Sequence, residues 1–273
     1  PTDFGILTII STLAWGLGYF GMPQVLVRFL GIRSAEEVRQ SRIIAVVWVV
    51  ISMVCALCIG FIGRAMLPTY FGTNAAAENI FIVIAQMILP AFMCGVVVSG
   101  ILAASMSSAS SYLLITGSSV AENIFRGIIK RDATDRQVMI VSRITLAVVM
   151  IIGIVIALDE NSVIFRVVSY AWAGLGASFG PLVLCSLYWR RTNLPGALAG
   201  MLGGAITVVV WHNLIKPLGG VFGIYELLPA FIVSLLCIFV VSKLTAEPSQ
   251  EIYDEFDHYT EARMDEDVNP TAA

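Results

Sequence analysis

Two stretches of the chain hold residues whose types and spacing could do chemistry inside a membrane. In Val97–Ala121, Ala104, Ser107 and Ser108 stand at i, i+3 and i+4, which an α-helix brings onto one face. Their two hydroxyls and the alanine carbonyl can converge at one depth. Neutral oxygens of this kind can hold a small hard cation where no carboxylate is at hand. Helix packing is the competing reading, because small residues let membrane helices approach closely and a serine hydroxyl can bond back to the carbonyl four residues earlier.

The second stretch is Trp15-Gly16-Leu17-Gly18-Tyr19-Phe20-Gly21-Met22-Pro23. Glycine costs about 1 kcal/mol and proline about 3 kcal/mol against alanine inside a helix, so this composition predicts an unwound or kinked span. Backbone freed in that way is tolerated at membrane depth where it lines a cavity, and it can bind substrate there. Trp15 and Tyr19, at i and i+4, share a face. The alternative is an interfacial aromatic belt, which suits the end of a span better than a position about ten residues into one.

The elements that must position both stretches are membrane helices. The 273-residue chain is 58% hydrophobic and 13% charged, with a mean hydropathy of +0.88, which excludes a soluble domain. Apolar runs cover Phe4–Val27, Ile43–Ile62, Ile80–Val120, Val138–Leu158, Val167–Tyr188, Ala197–Leu214 and Val221–Val241. The third is long enough for a short outer helix followed by a span. The fold class expected is an all-α polytopic membrane protein, with a seven-helix region over 1–243 and an acidic tail over 244–273.

Lys and Arg fix the orientation. Of the 16 in the chain, only Arg64, Arg166 and Lys216 fall outside one alternating set of loops. The start of the chain is therefore expected outside and the tail in the cytoplasm of a cell whose inner (plasma) membrane holds the protein. An odd number of spans with an outside start is the pattern expected of the second half of a longer protein. The tail is rich in Asp and Glu and poor in apolar residues, so it is expected to be solvated and partly helical. Cys55, Cys58, Cys94, Cys185 and Cys237 lie in apolar runs and read as small buried hydrophobes, not as metal or redox groups.

The motifs also carry a resemblance. WGLGYFGMPQ at 15–24, with ArgPheLeu at 28–30, resembles the proline-carrying branch of the sodium/solute symporter family, and Ala104-Ser105-Met106-Ser107-Ser108 is similar to that family's sodium motif. AWAGLGASFGP at 171–181 and NLPGALAGMLGGAITVVVW at 193–211 also resemble it. The resemblance implies that Ala104, Ser107 and Ser108 coordinate a coupling Na⁺, and that Trp15, Tyr19 and Pro23 belong to the substrate site and its gate. It further implies the second half of a five-plus-five inverted-repeat core plus two peripheral helices, with an N-terminal repeat required for transport. Met22 and Gln24 depart from the residues expected beside Pro23, and Ser108 replaces a threonine while keeping the hydroxyl.

The function expected is Na⁺-coupled import of a small amino acid, L-proline first, by a protein that is not an enzyme. Its partners would be the small-molecule substrate and membrane lipid, with no nucleic acid. Another solute such as pantothenate stays open as substrate, as does a transporter-like domain in a membrane sensor. A membrane hydrolase would need a nucleophile with a base, or metal ligands, within reach; with His212 near an outer boundary and His258 in the tail, no such site is legible. Gly176xxxGly180 and Gly196xxxGly200 read as helix packing. Glu226 reads as a carboxylate at the outer boundary.

Overall fold

A computed structural model describes residues 5–69, 77–158 and 164–258, which are helical almost throughout and contain no strand. Six helices are long and apolar enough to cross a membrane, and a bent pair would make a seventh. The chain divides into two compact units, Pro1–Val38 with Ile164–Ala273, and Arg39–Val163.

The first unit opens with the expected break. Helix α1 (Ile6–Ala14) tightens into a 3-10 segment, Trp15–Gly21. Met22 is extended, and α2 (Pro23–Leu30) starts with proline at its first turn, where a missing N–H costs nothing and the fixed φ suits the helix. The two arms meet at 51°. The segment is overwound to 3-10 and bent, not unwound.

Three long helices complete this unit: α7 (Ile164–Tyr188), α8 (Leu194–Val210) and α9 (Leu227–Leu244). Their shared core is small, with Ala173, Ala177, Val208, Leu227, Ala230 and Phe231 buried together. Glycines set the spacing. A Cβ on Gly21 would lie 2.6 Å from the Leu175 carbonyl oxygen, 2.7 Å from the Gly180 nitrogen and 2.9 Å from the Gly176 Cα. The broken span thus lies backbone to backbone on α7, and Gly176 and Gly180 are packing residues as their spacing predicts. Gly196 and Gly200 do the same for α8 against α9, with Ser234 donating across the gap to the Gly200 carbonyl at 2.9 Å.

The other long helices fall in or begin the second unit: α3 (Ala35–Met66), α5 (Ala91–Ser118) and α6 (Asp135–Ala157), with the short α4 (Ile80–Ile88) before α5. The split of α4 from α5 at Leu89–Pro90 is the short helix plus span expected of Ile80–Val120. α5 runs on as a wider π-helical turn over Ser119–Ile129. A Thr134–Gln137 capping box then starts α6, with each side chain bonding the other's backbone N–H.

The first unit is packed, whereas the most apolar stretches of α3, α5 and α6 are 0% buried within the chain. Such faces need lipid or further protein against them. This also corrects the reading of the cysteines. Cys185 is buried, but Cys55 and Cys58 are exposed, because they lie on α3, which has no covered apolar stretch.

One boundary differs from the sequence reading. The last span starts at Leu227, not Val221, because Gly219 and Gly220 turn the chain through positive φ (73° and 59°) before a short 3-10 turn. Beyond α9, residues 250–258 are helical and Arg190–Asp257 at 2.5 Å holds them to the α7–α8 loop, while Arg191–Glu247 at 2.8 Å holds the segment between α9 and this stretch to the same loop. The rest of the tail, with Glu261, Arg263, Asp265, Glu266 and Asp267, lies outside the described residues.

The glycine contact can be tested directly. Gly21→Ala, whose Cβ meets only backbone, should destabilise the purified protein by about 1–3 kcal/mol, read as an earlier thermal melt in detergent. Gly16→Ala, with nothing within 4 Å of the new methyl, should leave the melt unchanged or raise it.

Candidate functional site

The 3-10 tightening at residue 15 aims Trp15 and Tyr19 at α7, where they meet a residue that sequence reasoning did not single out. Trp172 stacks on Trp15 with ring centroids 5.5 Å apart and takes Tyr19 edge-on at 4.8 Å. Its indole N–H donates to the Trp15 carbonyl at 3.1 Å, a side-chain bond that ties the start of the 3-10 segment to α7. Gly18 is buried under the Trp172 ring, with no room for a Cβ. Phe165 and Tyr225 stack on Trp15 at 5.3 and 5.9 Å.

The result is an aromatic wall with one open member. Tyr19 is 53% exposed, so its hydroxyl is available to a ligand. Pro23 is brought to the bend beyond Gly21, at the start of α2, and is not part of the stack. Phe165, in the first turn of α7, and Tyr225, just before α9, place the wall toward the end of the helices where α7 and α9 begin. Offset-stacked and edge-on ring pairs of this kind are each worth about 0.5–1.5 kcal/mol beyond burial.

The hydroxyl cluster lies on α5 in the second unit. Ser105, Ser110, Ser111 and Thr116 bond back to carbonyls four residues earlier, at 3.0, 2.8, 3.2 and 2.8 Å. They behave as the packing reading requires. Ser107 and Ser108 differ: both are exposed, and no partner for either hydroxyl is found among the described residues. Ala104 is exposed on the same face. Ser107 and Ser108 thus present hydroxyls, with Ala104 beside them, on a helix face left exposed among the described residues.

A third group was not foreseen. Glu226, expected at the outer boundary, is 1% exposed. The Lys216 ammonium donates to its Oε2 at 2.6 Å, and His212 Nδ1 lies 3.0 Å from its Oε1. The His212 ring rests against Tyr170, with centroids 4.5 Å apart. Burial pushes the carboxyl of Glu226 upward. The hydrogen bonds from Lys216, from its own backbone and from His212 outweigh that and hold it below its ordinary 4.5. Burial, then the neighbouring carboxylate, pushes the Tyr225 phenol up, so it stays a neutral donor.

Comparison with known proteins follows the same stretches. The model of the sodium:solute symporter family matches residues 5–204. The chain is 43% identical over 254 residues to the high-affinity proline transporter PutP of Bacillus subtilis, covering 93% of this chain and 53% of that protein. It is 39% identical over 251 residues to the osmoregulated proline transporter OpuE of the same organism, covering 92% and 51%. To a sodium/proline symporter of Staphylococcus aureus it is 41% identical over 246 residues, covering 88% and 48%. The chain spans about half the length of the curated relatives it matches. No solved structure matches it.

The Glu226 network has a definite pH signature. A carboxylate whose folded pKa is depressed contributes stability that is present above its unfolded value and lost as pH falls through the folded one. Lys216, His212 and Tyr225 are the titratable groups that face or adjoin it. Acidification below 4.5, the ordinary value, should therefore lower the melting temperature, and Glu226→Gln should flatten that part of the melt–pH curve.

Proposed function

The chain belongs to the sodium:solute symporter family, and on that premise we propose that the carrier containing it imports L-proline together with Na⁺ across the cell membrane. The observation that carries the substrate is the likeness, at 39–43% identity over nearly the whole chain, to three proteins described as proline transporters or symporters. The wall formed by Trp15, Tyr19 and Trp172 beside a 51° break supports it. An apolar five-membered ring suits an aromatic wall with few charges, and a sugar would call for many side-chain hydrogen-bond partners. The substrate carboxylate would be met by backbone N–H groups at the bend, near the start of α2.

Na⁺ is carried as co-substrate. Its ligands in this chain would be the Ala104 carbonyl and the Ser107 and Ser108 hydroxyls, neither of which is turned back onto the helix. The remaining ligands would come from a first repeat of an inverted-repeat core, to which this chain would contribute the second repeat and two peripheral helices. α5 leaves its apolar stretch uncovered, as a helix would that packs on such a repeat. Na⁺ bound there favours the outward-open state, in which proline binds at Trp15 and Tyr19. Occupation of both sites then permits closure and release inside. The arginine-rich loops and the tail face the cytoplasm.

Ser107→Ala or Ser108→Ala in the complete carrier should raise the Na⁺ concentration for half-maximal proline uptake by the equivalent of about 1–3 kcal/mol. Ser110→Ala, which removes a hydroxyl bonded only to its own helix, should not. Equal Na⁺ dependence in all three would return the cluster to packing. At the substrate site, Trp15→Ala should weaken proline uptake more than Tyr19→Phe, since the first removes the wall and the second only its hydroxyl. Na⁺-driven uptake of another solute with none of proline would refute the substrate while leaving the symporter.

A further inference from the structure

The segment between α8 and α9, Trp211–Glu226, folds back over the end of the first unit where the aromatic wall stands. Its last two residues make contacts of different kinds. Glu226 is the anchor: a carboxylate 1% exposed, closed by Lys216 and His212 from the same segment. Tyr225, its neighbour, reaches outward at three points. The Tyr225 backbone N–H donates to the Ser11 hydroxyl on α1 at 3.0 Å. The Tyr225 phenol donates to the Ser169 carbonyl on α7 at 2.7 Å. The Tyr225 ring lies 5.9 Å from Trp15, within 15° of parallel.

We propose that Glu226 is a positioning residue for substrate binding: by anchoring the Trp211–Glu226 segment it fixes Tyr225, and Tyr225 clasps α1 to α7 and sets the plane of Trp15. This deepens the proline reading and rests on it. Among the described residues, the side-chain hydrogen bonds of Glu226 go to Lys216 and His212 and not to the rings of the wall. A buried carboxylate with two partners resists displacement, because moving it leaves the Lys216 ammonium without its counter-charge in a half-buried place. The adjoining tyrosine therefore has one backbone position. With α1 and α7 held at that point, the Trp15 ring is confined among the three rings stacked on it, Phe165, Trp172 and Tyr225. Removing the anchor lets the clasp and the ring move without touching the ligand's own contacts.

The experiment compares wild type, Glu226→Gln, Glu226→Asp, Tyr225→Phe and the double variant Glu226→Gln/Tyr225→Phe in the complete carrier. It measures proline KM, Vmax per carrier at the cell surface, and amide hydrogen exchange of the purified protein. Glu226→Gln should raise proline KM about fivefold, the worth of one hydrogen bond, with Vmax per carrier within about twofold. Tyr225→Phe should raise KM in the same direction, and the double variant should be no worse than Glu226→Gln alone, as expected for residues acting along one route. Glu226→Asp, which keeps the charge, should recover most of the affinity. Amides around Ser11 and Tyr225 should exchange faster in Glu226→Gln.

A fall in Vmax or surface amount with KM unchanged would make Glu226 a purely structural residue and overturn the proposal, as would multiplicative effects in the double variant or unaltered exchange at Ser11 and Tyr225. Tyr225→Phe, which leaves the ion pair intact, keeps the test decisive should Glu226→Gln fail to fold: an unchanged KM there refutes the clasp. If wild type takes up no proline, the substrate reading fails separately, and the exchange arm alone decides whether Glu226 holds Tyr225 in place.

Discussion

The close approach of the broken span to α7 is the constraint from which the rest of the first unit follows. Gly18 and Gly21 on one side and Gly176 and Gly180 on the other leave no space for a side chain between them. At this separation the Trp172 indole also reaches the Trp15 carbonyl and ties the 3-10 segment to α7. The same approach brings Trp15, Tyr19 and Trp172 into one stack. In a bilayer, where neither freed carbonyls nor open sheet edges find water, the break and the close packing depend on each other. A bend without a partner helix would expose its backbone, and a partner without glycines could not reach it.

The two candidate sites use opposite strategies. At the aromatic wall, polar backbone is satisfied by the protein and the rings offer an apolar surface, with Tyr19 left half open. On α5, Ser105, Ser110, Ser111 and Thr116 are satisfied by the helix itself, and Ser107 and Ser108, between Ser105 and Ser110, are left facing outward. A neutral oxygen facing out of a membrane helix is costly without a partner, so a helix that keeps two such groups beside a set of back-bonded neighbours has oxygens to offer a cation or another polar group. Glu226 shows a third arrangement, in which a full charge is buried but closed by a counter-charge and a histidine.

Features written in local spacing were legible in the sequence. Composition and apolar run length located the spans. Glycines and Pro23 located the break within a residue or two, and i, i+3, i+4 spacing located the serine face. Trp172 and the Glu226 network were not legible, because they exist only through contacts between residues far apart in the chain. Trp172 bonds Trp15 across 157 positions, and Tyr225 bonds Ser11 across 214. The motif AWAGLGASFGP did contain Trp172, but its glycines drew the packing interpretation and its indole went unread. The burial of Glu226 was hidden for a related reason. A lone carboxylate at a helix start ordinarily faces water, and only the fold-back of Trp211–Glu226 supplies the Lys216 and His212 that let it be buried.

The central claim, that the carrier couples proline entry to Na⁺, is tested most directly by proline uptake into liposomes containing the complete carrier, with ionic gradients imposed one at a time. An inward Na⁺ gradient should drive transient accumulation of proline above its external concentration, and a K⁺ gradient of the same size should not. Accumulation driven equally by K⁺, or by a proton gradient in the absence of Na⁺, would contradict it.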